Sequence, residues 1–352
     1  MKFAFLLLFL LSCAHRAPAH QTGVSLLQLA TTDNSVEFNL LLEKSKTPKM
    51  TILTPSGQEY QAAHESKSER ASSDWAVFHY KFTKIPAENG DYQVVVKNLG
   101  KLLDQRSFGL FSSQGEKLRF IVGSCADVRN SEQDKVWQTV ESLKPEWLFM
   151  IGDNIYAVQG ASEVESADLL WERYVESRRA LNLFRMKRLI PTHAVWDDND
   201  YGQKDGGSTY QLKDESQKIF KVFFQAQFGA DNFFTGPGVA SRLHLRGMHF
   251  TFLDNRSFRG KDDVNGEHLG KEQEEWLWQD LKSAELPTWI ISGDQFFGGY
   301  HQFDSYEGKH PRAFENFVTK MKEITTPYVF LSGDRHLTEL MQFPRAILGQ
   351  LS

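Results

Sequence analysis

The feature that most constrains the fold of this chain is a set of four apolar, strand-like runs that each end in side chains able to bind metals. The runs end in Cys125 and Asp127, in Asp153 and Tyr156, in the polar group 197–200, and in Asp334 and His336. In an open α/β sheet, the carboxyl ends of neighbouring strands border one crevice, where ligands bind. We therefore expect residues far apart in the sequence to meet at one edge of a sheet.

The composition is that of a soluble globular protein. The 352 residues are 41% hydrophobic and 24% charged, which is enough for two domains with a sizeable core. The net charge is −5 and no extended Lys/Arg block is present, so the usual electrostatic footprint of a nucleic-acid-binding protein is missing. We expect no nucleic-acid partner and a monomeric chain.

The N-terminus has the pattern of a signal peptide, which we place at residues 1–19. Lys2 precedes an apolar stretch, 3–11, that is too short to span a bilayer. Two cleavage sites fit. Residues 10–13 resemble a bacterial lipoprotein box, which would be cleaved before Cys13. Alternatively, residues 17–19 fit the small-residue site of ordinary signal cleavage, which would occur after Ala19. Either site predicts export to the bacterial periplasm or cell envelope, with membrane contact only through a lipid anchor.

Residues 22–112 carry short β-like runs separated by turn signals and contain no helical pattern. Six or seven strands at this spacing predict an all-β sandwich of immunoglobulin or fibronectin type. The polar segment 64–74 is interpreted as a long loop. The strands are expected at 24–29, 35–42, 49–54, 75–82, 91–97 and 104–111.

Residues 118–352 alternate between strand and helix patterns, which predicts an α/β domain. Ser131 is the expected N-cap of the first helix. Helices are expected at 132–143, 167–185, 213–228, 271–284 and 313–324. Strands are expected at 119–123, 147–151, 189–196, 240–245, 249–254, 288–292 and 328–332.

The ligand types at the strand ends predict two unlike metals. Cys125 has no disulfide partner, because Cys13 is either acylated or removed, and its thiol suits a transition metal, as does the His336 imidazole. A Tyr156 phenolate would favour a trivalent ion such as iron, and the surplus of Asp oxygens favours calcium or magnesium. A metal pair about 3.5–4 Å apart can activate water for attack on phosphorus, so this set predicts hydrolysis of a phosphate ester.

Simpler interpretations of the same residues stay open on the sequence alone. Cys125 has the properties of an inert buried thiol, and Tyr156 those of a packed aromatic ring. An Asp after a strand and a Gly, as in 152–153 and 333–334, is commonly a turn former or a helix cap. Several carboxylates at one sheet edge would repel one another without a cation, which favours the metal interpretation.

An ordered set of motifs between residues 119 and 340 resembles the PhoD-type alkaline phosphatases of the metallophosphatase superfamily. The motifs are Gly-Ser-Cys, Gly-Asp-Asn-Ile-Tyr, Trp-Asp-Asp-Asn-Asp-Tyr-Gly, Leu-Asp-Asn-Arg and Gly-Asp-Arg-His-Leu-Thr-Glu. The resemblance implies a phosphomonoesterase or phosphodiesterase with an N-terminal β-sandwich and an α/β (α+β sandwich) metallophosphatase domain at 118–352, whose sheets are flanked by helices. It also implies Fe(3+) and Ca(2+) as cofactors, with other divalent metals as substitutes, and a phosphate ester as substrate.

The resemblance also assigns roles to individual residues. Iron ligands would be Cys125, Asp153, Tyr156 and His336, with Asp153 bridging to the second metal. Asp334 would face a calcium-like site, and Asp197 and Asp198 match the acidic pair of the family. The implied metal ligands are Cys125, Asp153, Tyr156, Asp197, Asp198, Asp334 and His336, and the implied catalytic residues are Asp198, Asn199 and Arg256.

Smaller assignments follow for the surroundings of the site. Arg256 would either bind a phosphate oxygen or pair with Asp254. The segment 304–308 resembles a loop that rims the site in the family. Glu339 would support the metal-binding histidine from outside the ligand set.

Three departures from the family motifs are visible. Asn199 stands where His is usual, which removes a candidate general acid. Lys204 aligns with a metal-binding Asn, although Asp205 follows it. The sequence ends at Ser352, soon after the last motif, so we expect either a truncated domain or a sheet completed differently.

These departures leave three functional hypotheses. The first is an exported, metal-dependent phosphoesterase that hydrolyses mono- or diesters. The second is a catalytically impaired, metal- or phosphate-binding surface lipoprotein. The third is an adhesion module in which the α/β part serves only as a scaffold.

Overall fold

The computed structural model describes residues 24–115, 117–301 and 303–342. The predicted signal peptide at 1–19, with Cys13 and both cleavage sites, lies outside the described residues, as does 343–352. Within the described part of the chain, no helix is long and apolar enough to cross a membrane.

Eight strands form the N-terminal part. Two antiparallel four-stranded sheets, in the orders β1-β2-β6-β5 and β4-β3-β7-β8, enclose one core. Phe38 packs edge-on against Phe82 and Phe108, which joins the inner faces of the two sheets. The strands are β1 Ser25–Thr31, β2 Val36–Glu43, β3 Pro48–Leu53, β4 Glu59–Gln61, β5 His64–Glu69, β6 Trp75–Phe82, β7 Tyr92–Asn98 and β8 Lys101–Phe108.

The loop predicted at 64–74 is wrong in its first half, where β5 pairs with β6. The sequence of β5, HESKSE, is polar and mostly exposed because β5 is an edge strand. Backbone pairing with β6 stabilises it, so it lacks the alternation of apolar and polar residues that marks a half-buried strand. A polar edge strand of this kind also discourages pairing with other chains.

The α/β part contains two further sheets. One is parallel, in the order β11-β10-β9, and the other is mixed, in the order β12-β13-β14-β15-β16. The strands are β9 Phe120–Gly123, β10 Trp147–Ile151, β11 Thr192–Val195, β12 Phe233–Thr235, β13 Ser241–Leu245, β14 Met248–Phe252, β15 Thr288–Ser292 and β16 Tyr328–Ser332. The α-helices are α1 Gln133–Leu143, α2 Ala167–Ala180, α3 Asp198–Tyr201, α4 Lys213–Phe224, α5 Lys271–Ser283, α6 Tyr306–Lys309 and α7 Pro311–Met321.

Aromatic side chains fill the space between these two sheets. Phe149 on β10 lies 4.8 Å from Phe250 and 5.4 Å from Phe252 on β14, measured between ring centroids. The helices α2 and α4 pack on the side of the first sheet, and α5 and α7 pack on the second. The predicted α/β sandwich with flanking helices is confirmed, and it places the carboxyl ends of β9, β10, β15 and β16 side by side.

Three helix predictions need correction. The helix expected at 213–228 ends at Phe224. The helix expected through residue 185 stops at Ala180, and a short 3-10 helix, Asn182–Arg185, follows. The first helix has Glu132 as its N-cap, without a side-chain capping bond, so the Ser131 cap is wrong.

Candidate metal centre

Glycines let the ends of the strands approach each other closely. Gly152 follows β10 with φ +92°, a conformation that residues with a Cβ adopt rarely. A Cβ on Gly152 would lie only 2.8 Å from Asp197 Cβ and 2.9 Å from Gly293 Cα. Gly293, after β15, therefore touches the same point from the other sheet. This contact brings the carboxylates that follow β10 and β11 within reach of those that follow β15 and β16.

Three carboxylates meet beside these glycines. Oxygens of Asp153, Asp197 and Asp198 all lie within 4.8 Å of one another. Asp153 and Asp197 are buried, and Asp198 is partly buried. Burial and the charges of Asp197 and Asp198 raise the pKa of Asp153 well above its usual range. Burial likewise raises the pKa of Asp197 despite the opposing charge of Arg256. The three groups thus favour a compensating cation.

Asp197 is oriented by two donors and keeps one oxygen free. Arg256 donates to Asp197 Oδ1 from Nε at 2.7 Å and also from Nη2, and Asn255 Nδ2 donates to the same oxygen at 2.6 Å. The other oxygen, Asp197 Oδ2, is buried and has no hydrogen-bond partner. A buried carboxylate oxygen without a partner is costly unless a cation or a water meets it.

Asn199 lies against the same carboxylates. Its backbone N–H donates to Asp153 Oδ1 at 3.2 Å, and its Nδ2 donates to Asp153 Oδ2 and Asp198 Oδ1, both at 3.1 Å. Asn199 is on the one-turn helix α3, at whose start the backbone N–H of Asp197 donates to Asp200 Oδ2 at 3.0 Å. Within the polar run 197–200, Asp200 therefore accepts hydrogen bonds from backbone N–H groups, and the side chains of the other three residues face the centre.

Cys125, Tyr156 and His336 gather at a second side of Asp153. Tyr156 Oη and His336 Nε2 lie 3.1 Å apart, and the hydroxyl is also within hydrogen-bond reach of the Cys125 thiol. Burial and the charge of Asp153 raise the pKa of the Cys125 thiol to about 12, and they raise the pKa of Tyr156 as well. Without a metal both groups stay protonated, whereas a bound cation would favour their anionic forms.

Four residues of this centre are among the ten non-glycine residues with positive φ in the described part of the chain. Cys125, Asp153, Asp334 and His336 have φ values of 58°, 52°, 71° and 51°, in the left-handed region. Residues other than glycine adopt this region rarely, and such strain clusters at functional sites. The loops are held in place by backbone bonds, for instance from Cys125 N to Gly152 O at 3.1 Å. Strain at four of the seven predicted metal ligands favours a ligand-binding role for them.

Asp334 faces a different set of charges from those around Cys125. Burial and the charge of Asp304 raise the pKa of Asp334 to about 6, and Asp198 and Asp294 act in the same direction. Arg256 Nη2 donates to Asp304 at 3.2 Å, and Arg259 binds Asp304 through two nitrogens at 2.7 Å. The side of the centre around Asp334 is therefore built from carboxylates and guanidinium groups, together with the His268 imidazole beside Asp294.

Some predicted neighbours have other roles. Asp127 forms a two-pronged ion pair with Arg129, and it is not part of the carboxylate group. Asp254 accepts from Trp196 Nε1 at 2.9 Å and from backbone N–H groups, so it organises the loop after β14. The guanidinium of Arg256 binds Asp197 and Asp304, so the suggested pairing with Asp254 is wrong.

Three residues of the centre were missed from the sequence. Asp294 is buried after Gly293 and lies 3.0 Å from His268 Nε2, and the strand–Gly–Asp pattern used for Asp153 would have found it. Asn255 and Arg259 follow β14 and act through carboxylates that come from other loops. No local pattern marks those two, because their partners are distant in sequence.

The residues present fit a metal centre. The argument rests on the partnerless Asp197 Oδ2, on three carboxylates within 4.8 Å, and on the thiol, phenol and imidazole beside Asp153. Cations at this position would meet oxygen donors on one side and mixed S, O and N donors on the other. A cavity of about 540 Å³ beside Val24 and Arg106 contains none of the predicted site residues.

Comparison with known proteins agrees with this architecture. No protein-family model matches the sequence, and no curated protein sequence does. A solved structure titled "Structure of PhoD" superposes with a TM-score of 0.66 over 89% of this chain and 71% of that chain, at 15% sequence identity. At this identity the likeness establishes the fold and not the reaction. The chain therefore has a PhoD-like fold, an α/β sandwich preceded by a β-rich region.

Proposed function

We propose that the protein is a metal-dependent phosphoesterase that hydrolyses phosphate mono- or diesters. The observation that carries the proposal is the meeting of Asp153, Asp197 and Asp198, one of them with a buried free oxygen, at the shared edge of two sheets. The donor types support Fe(3+) beside Cys125 and Tyr156, and Ca(2+) on the carboxylate side. The bound cations would supply Lewis acidity to a water and to the phosphate.

The reaction exchanges one P–O bond for another. The oxygen of water bonds to phosphorus, the bond to the alcohol breaks, and the alcohol leaves with the proton that water gives up. In this proposal Arg256 favours the carboxylate form of Asp197, against the burial that raises its pKa, and fixes the direction of its free oxygen. Asn199 Nδ2 holds Asp153 and Asp198 in one arrangement by donating to a carboxylate oxygen of each.

The setting of this activity follows from the sequence alone. We propose an exported, monomeric protein of the bacterial periplasm or cell envelope, tethered by lipid if cleavage occurs before Cys13. The domain limits at 22–112 and 118–352 belong to the same proposal. Its substrate is a phosphate ester, with no nucleic-acid partner.

Purified protein with bis(p-nitrophenyl) phosphate tests the reaction. We expect release of p-nitrophenol that stops on chelation and returns with added iron and calcium. Asp153→Ala should abolish turnover, while Asp231→Ala, at an exposed carboxylate, should leave it as in the parent. A metal-loaded protein that hydrolyses neither monoesters nor diesters would contradict the proposal.

The engagement of Asn199 favours a second candidate, a metal- or phosphate-binding protein without turnover. Where the similar family has a histidine, Asn199 uses its amide on two carboxylates and offers no titrating group for the leaving alcohol. Asn199→His separates the two candidates. A large gain in turnover in this variant would show that the parent is a catalytically impaired protein, as in the second candidate. A small change from an active parent would show that the parent is a competent enzyme.

A further inference from the structure

A cavity of about 540 Å³ lies at the junction between the β-sandwich and the α/β part. β7 and β8 form one wall, and the segment between α2 and β11 forms the other. Lys187 precedes β11 and Asp197 follows it, so the cavity lies toward the other end of that strand from the candidate metal centre. The charged residues of the lining are Asp104, Arg106, Arg185 and Lys187.

Positive charge exceeds negative charge in this lining, which contains three cations and one carboxylate. The carboxylate, Asp104, is already used by Arg106, whose Nε lies 2.8 Å from it. The other two nitrogens of Arg106 donate to the carbonyl oxygens of Phe184 at 2.7 Å and of Val24 at 2.5 Å. Arg106 is therefore satisfied within the protein, and the other two cations have no carboxylate of the lining left to pair with.

The guanidinium of Arg185 is incompletely bonded. Its Nη1 donates to a backbone carbonyl oxygen at 3.0 Å, whereas Nε and Nη2 are buried without a hydrogen-bond partner. Burial and the charges of Arg106 and Arg179 lower the pKa of Arg185. The charge of Asp134 opposes them more weakly, and Asp134 already accepts from Asn182 Nδ2 at 2.5 Å. Buried N–H groups of a cation are costly without acceptors, so this position favours an anion.

Lys187 also has no counter-ion. It is exposed, and its ammonium group forms no ion pair in the described part of the chain. Glu141 on α1 comes close, but its Oε1 accepts from the backbone N–H groups of Lys187 and Arg188 at 3.0 and 3.2 Å. The residues that precede Val24 cannot supply the missing charge either, because 1–23 contain no Asp or Glu.

We propose that this cavity binds a phosphate group, of a small soluble molecule or of a lipid headgroup, through Arg185 and Lys187. Nε and Nη2 share one edge of the guanidinium, which is the fork that holds two oxygens of a phosphate. Turned toward the cavity, this edge would find the acceptors that it lacks, and the ammonium group would add a point charge. The volume is that of a small-ligand site, and Gln93, Gln105 and Ser107 offer amide and hydroxyl groups to the rest of the molecule.

The site depends neither on the candidate metal centre nor on the proposed reaction. Calorimetric titration of the full-length protein with inorganic phosphate, in the presence of a chelator, therefore tests it separately. The parent should bind phosphate, and Arg185→Gln/Lys187→Gln should bind it about tenfold more weakly or worse, as expected for the loss of charged contacts. Lys271→Gln/Lys282→Gln removes the same charge from exposed positions on α5 and should bind like the parent.

A parent that does not bind phosphate, or equal affinities in the parent and in Arg185→Gln/Lys187→Gln, would overturn the site. An equal loss in the two double variants would also overturn it, because net charge alone would then explain the binding. Lys187→Glu, at an exposed residue, should leave the fold intact and also weaken binding about tenfold or more. This single variant decides the question if the double variant does not fold, since unchanged affinity would again overturn the site.

Two further measurements complete the test. Phosphate at about 100 times its Kd should raise the Tm of the parent, because it binds only the folded chain, and the same concentration should not raise the Tm of Arg185→Gln/Lys187→Gln. Equal rises in Tm would contradict the site. Sedimentation with phosphatidylglycerol vesicles identifies the source of the phosphate. Vesicle binding that this variant loses assigns a lipid headgroup, and phosphate binding without vesicle binding assigns a soluble compound.

Discussion

Asp153→Asn should change the free energy of unfolding in opposite directions with and without metal. Asp153 has two other carboxylates within 4.8 Å, and two unit charges at that distance repel by about 3.5 kcal/mol at an effective dielectric constant of 20. Because burial and these charges raise the pKa of Asp153, the metal-free parent loses stability as the pH rises through that pKa. The asparagine removes the charge and keeps an oxygen that can accept from the Asn199 N–H, while it loses the acceptor for Asn199 Nδ2, a cost included in the range below.

The magnitude follows from these values. At about pH 8, the metal-free variant should be about 1–3 kcal/mol more stable than the metal-free parent, given partial protonation in the parent. For 352 residues this corresponds to a rise in Tm of about 1–4 °C. With cation at about 100 times its Kd, the parent should gain about 2.7 kcal/mol, and the variant should gain little.

Differential scanning calorimetry of chelated and metal-loaded samples measures both effects. Asp231→Asn is the control, because that exposed carboxylate has no place in the centre and should leave both Tm values within about 1 °C of the parent. A metal-free Asp153→Asn protein that is less stable than the parent, or a variant that gains as much from cation as the parent does, would refute the reasoning.

Three further substitutions test the surroundings of the site and the stability of the fold. Arg256→Met leaves the carboxylate of Asp197 buried without its guanidinium, so urea titration should show a loss of about 3–5 kcal/mol; an unchanged midpoint would show that the pair is not formed. Gly152→Ala should lower the free energy of unfolding by about 2 kcal/mol or more, because Gly152 has a φ of +92° and contacts Asp197 Cβ. Gly57→Ala, at φ +90° in open space, should lower it by only about 1–2 kcal/mol. Equal losses in the two variants would argue against the close contact. Burial lowers the pKa of His79 to about 4, so the parent should lose stability as the pH falls from 6.5 toward 4. His79→Met should remove up to about 3 kcal/mol of that loss. The same dependence of unfolding free energy on acid pH in both proteins would contradict this prediction.

The strands that position the site could be predicted because they are short apolar runs between turn signals. The bounds expected for 75–82, 147–151, 288–292 and 328–332 coincide with β6, β10, β15 and β16. β6, β10 and β15 are largely buried, whereas β16 lies at the edge of its sheet and is partly exposed, so the apolar pattern predicts the strands but not the full burial of each one. The edge strand β5 was missed for the opposite reason, since its side chains face solvent.

The candidate site was predictable only in part. Strand ends locate Cys125, Asp153 and Asp334, because the carboxyl ends of neighbouring strands meet. The sequence does not show that Arg256 and Asn255 converge on one oxygen of Asp197, since that contact depends on how two loops pack. These donors decide which carboxylate oxygen is free, so they determine the site as much as the predicted ligands do.

Anomalous diffraction from crystals of metal-loaded protein tests the central claim most directly. We predict an iron peak within bonding distance of Cys125 Sγ, Tyr156 Oη and His336 Nε2, and a second cation between Asp153 and the carboxylates of Asp197 and Asp198. The absence of an iron peak in crystals of protein incubated with excess metal, or an iron peak remote from these side chains, would contradict the claim.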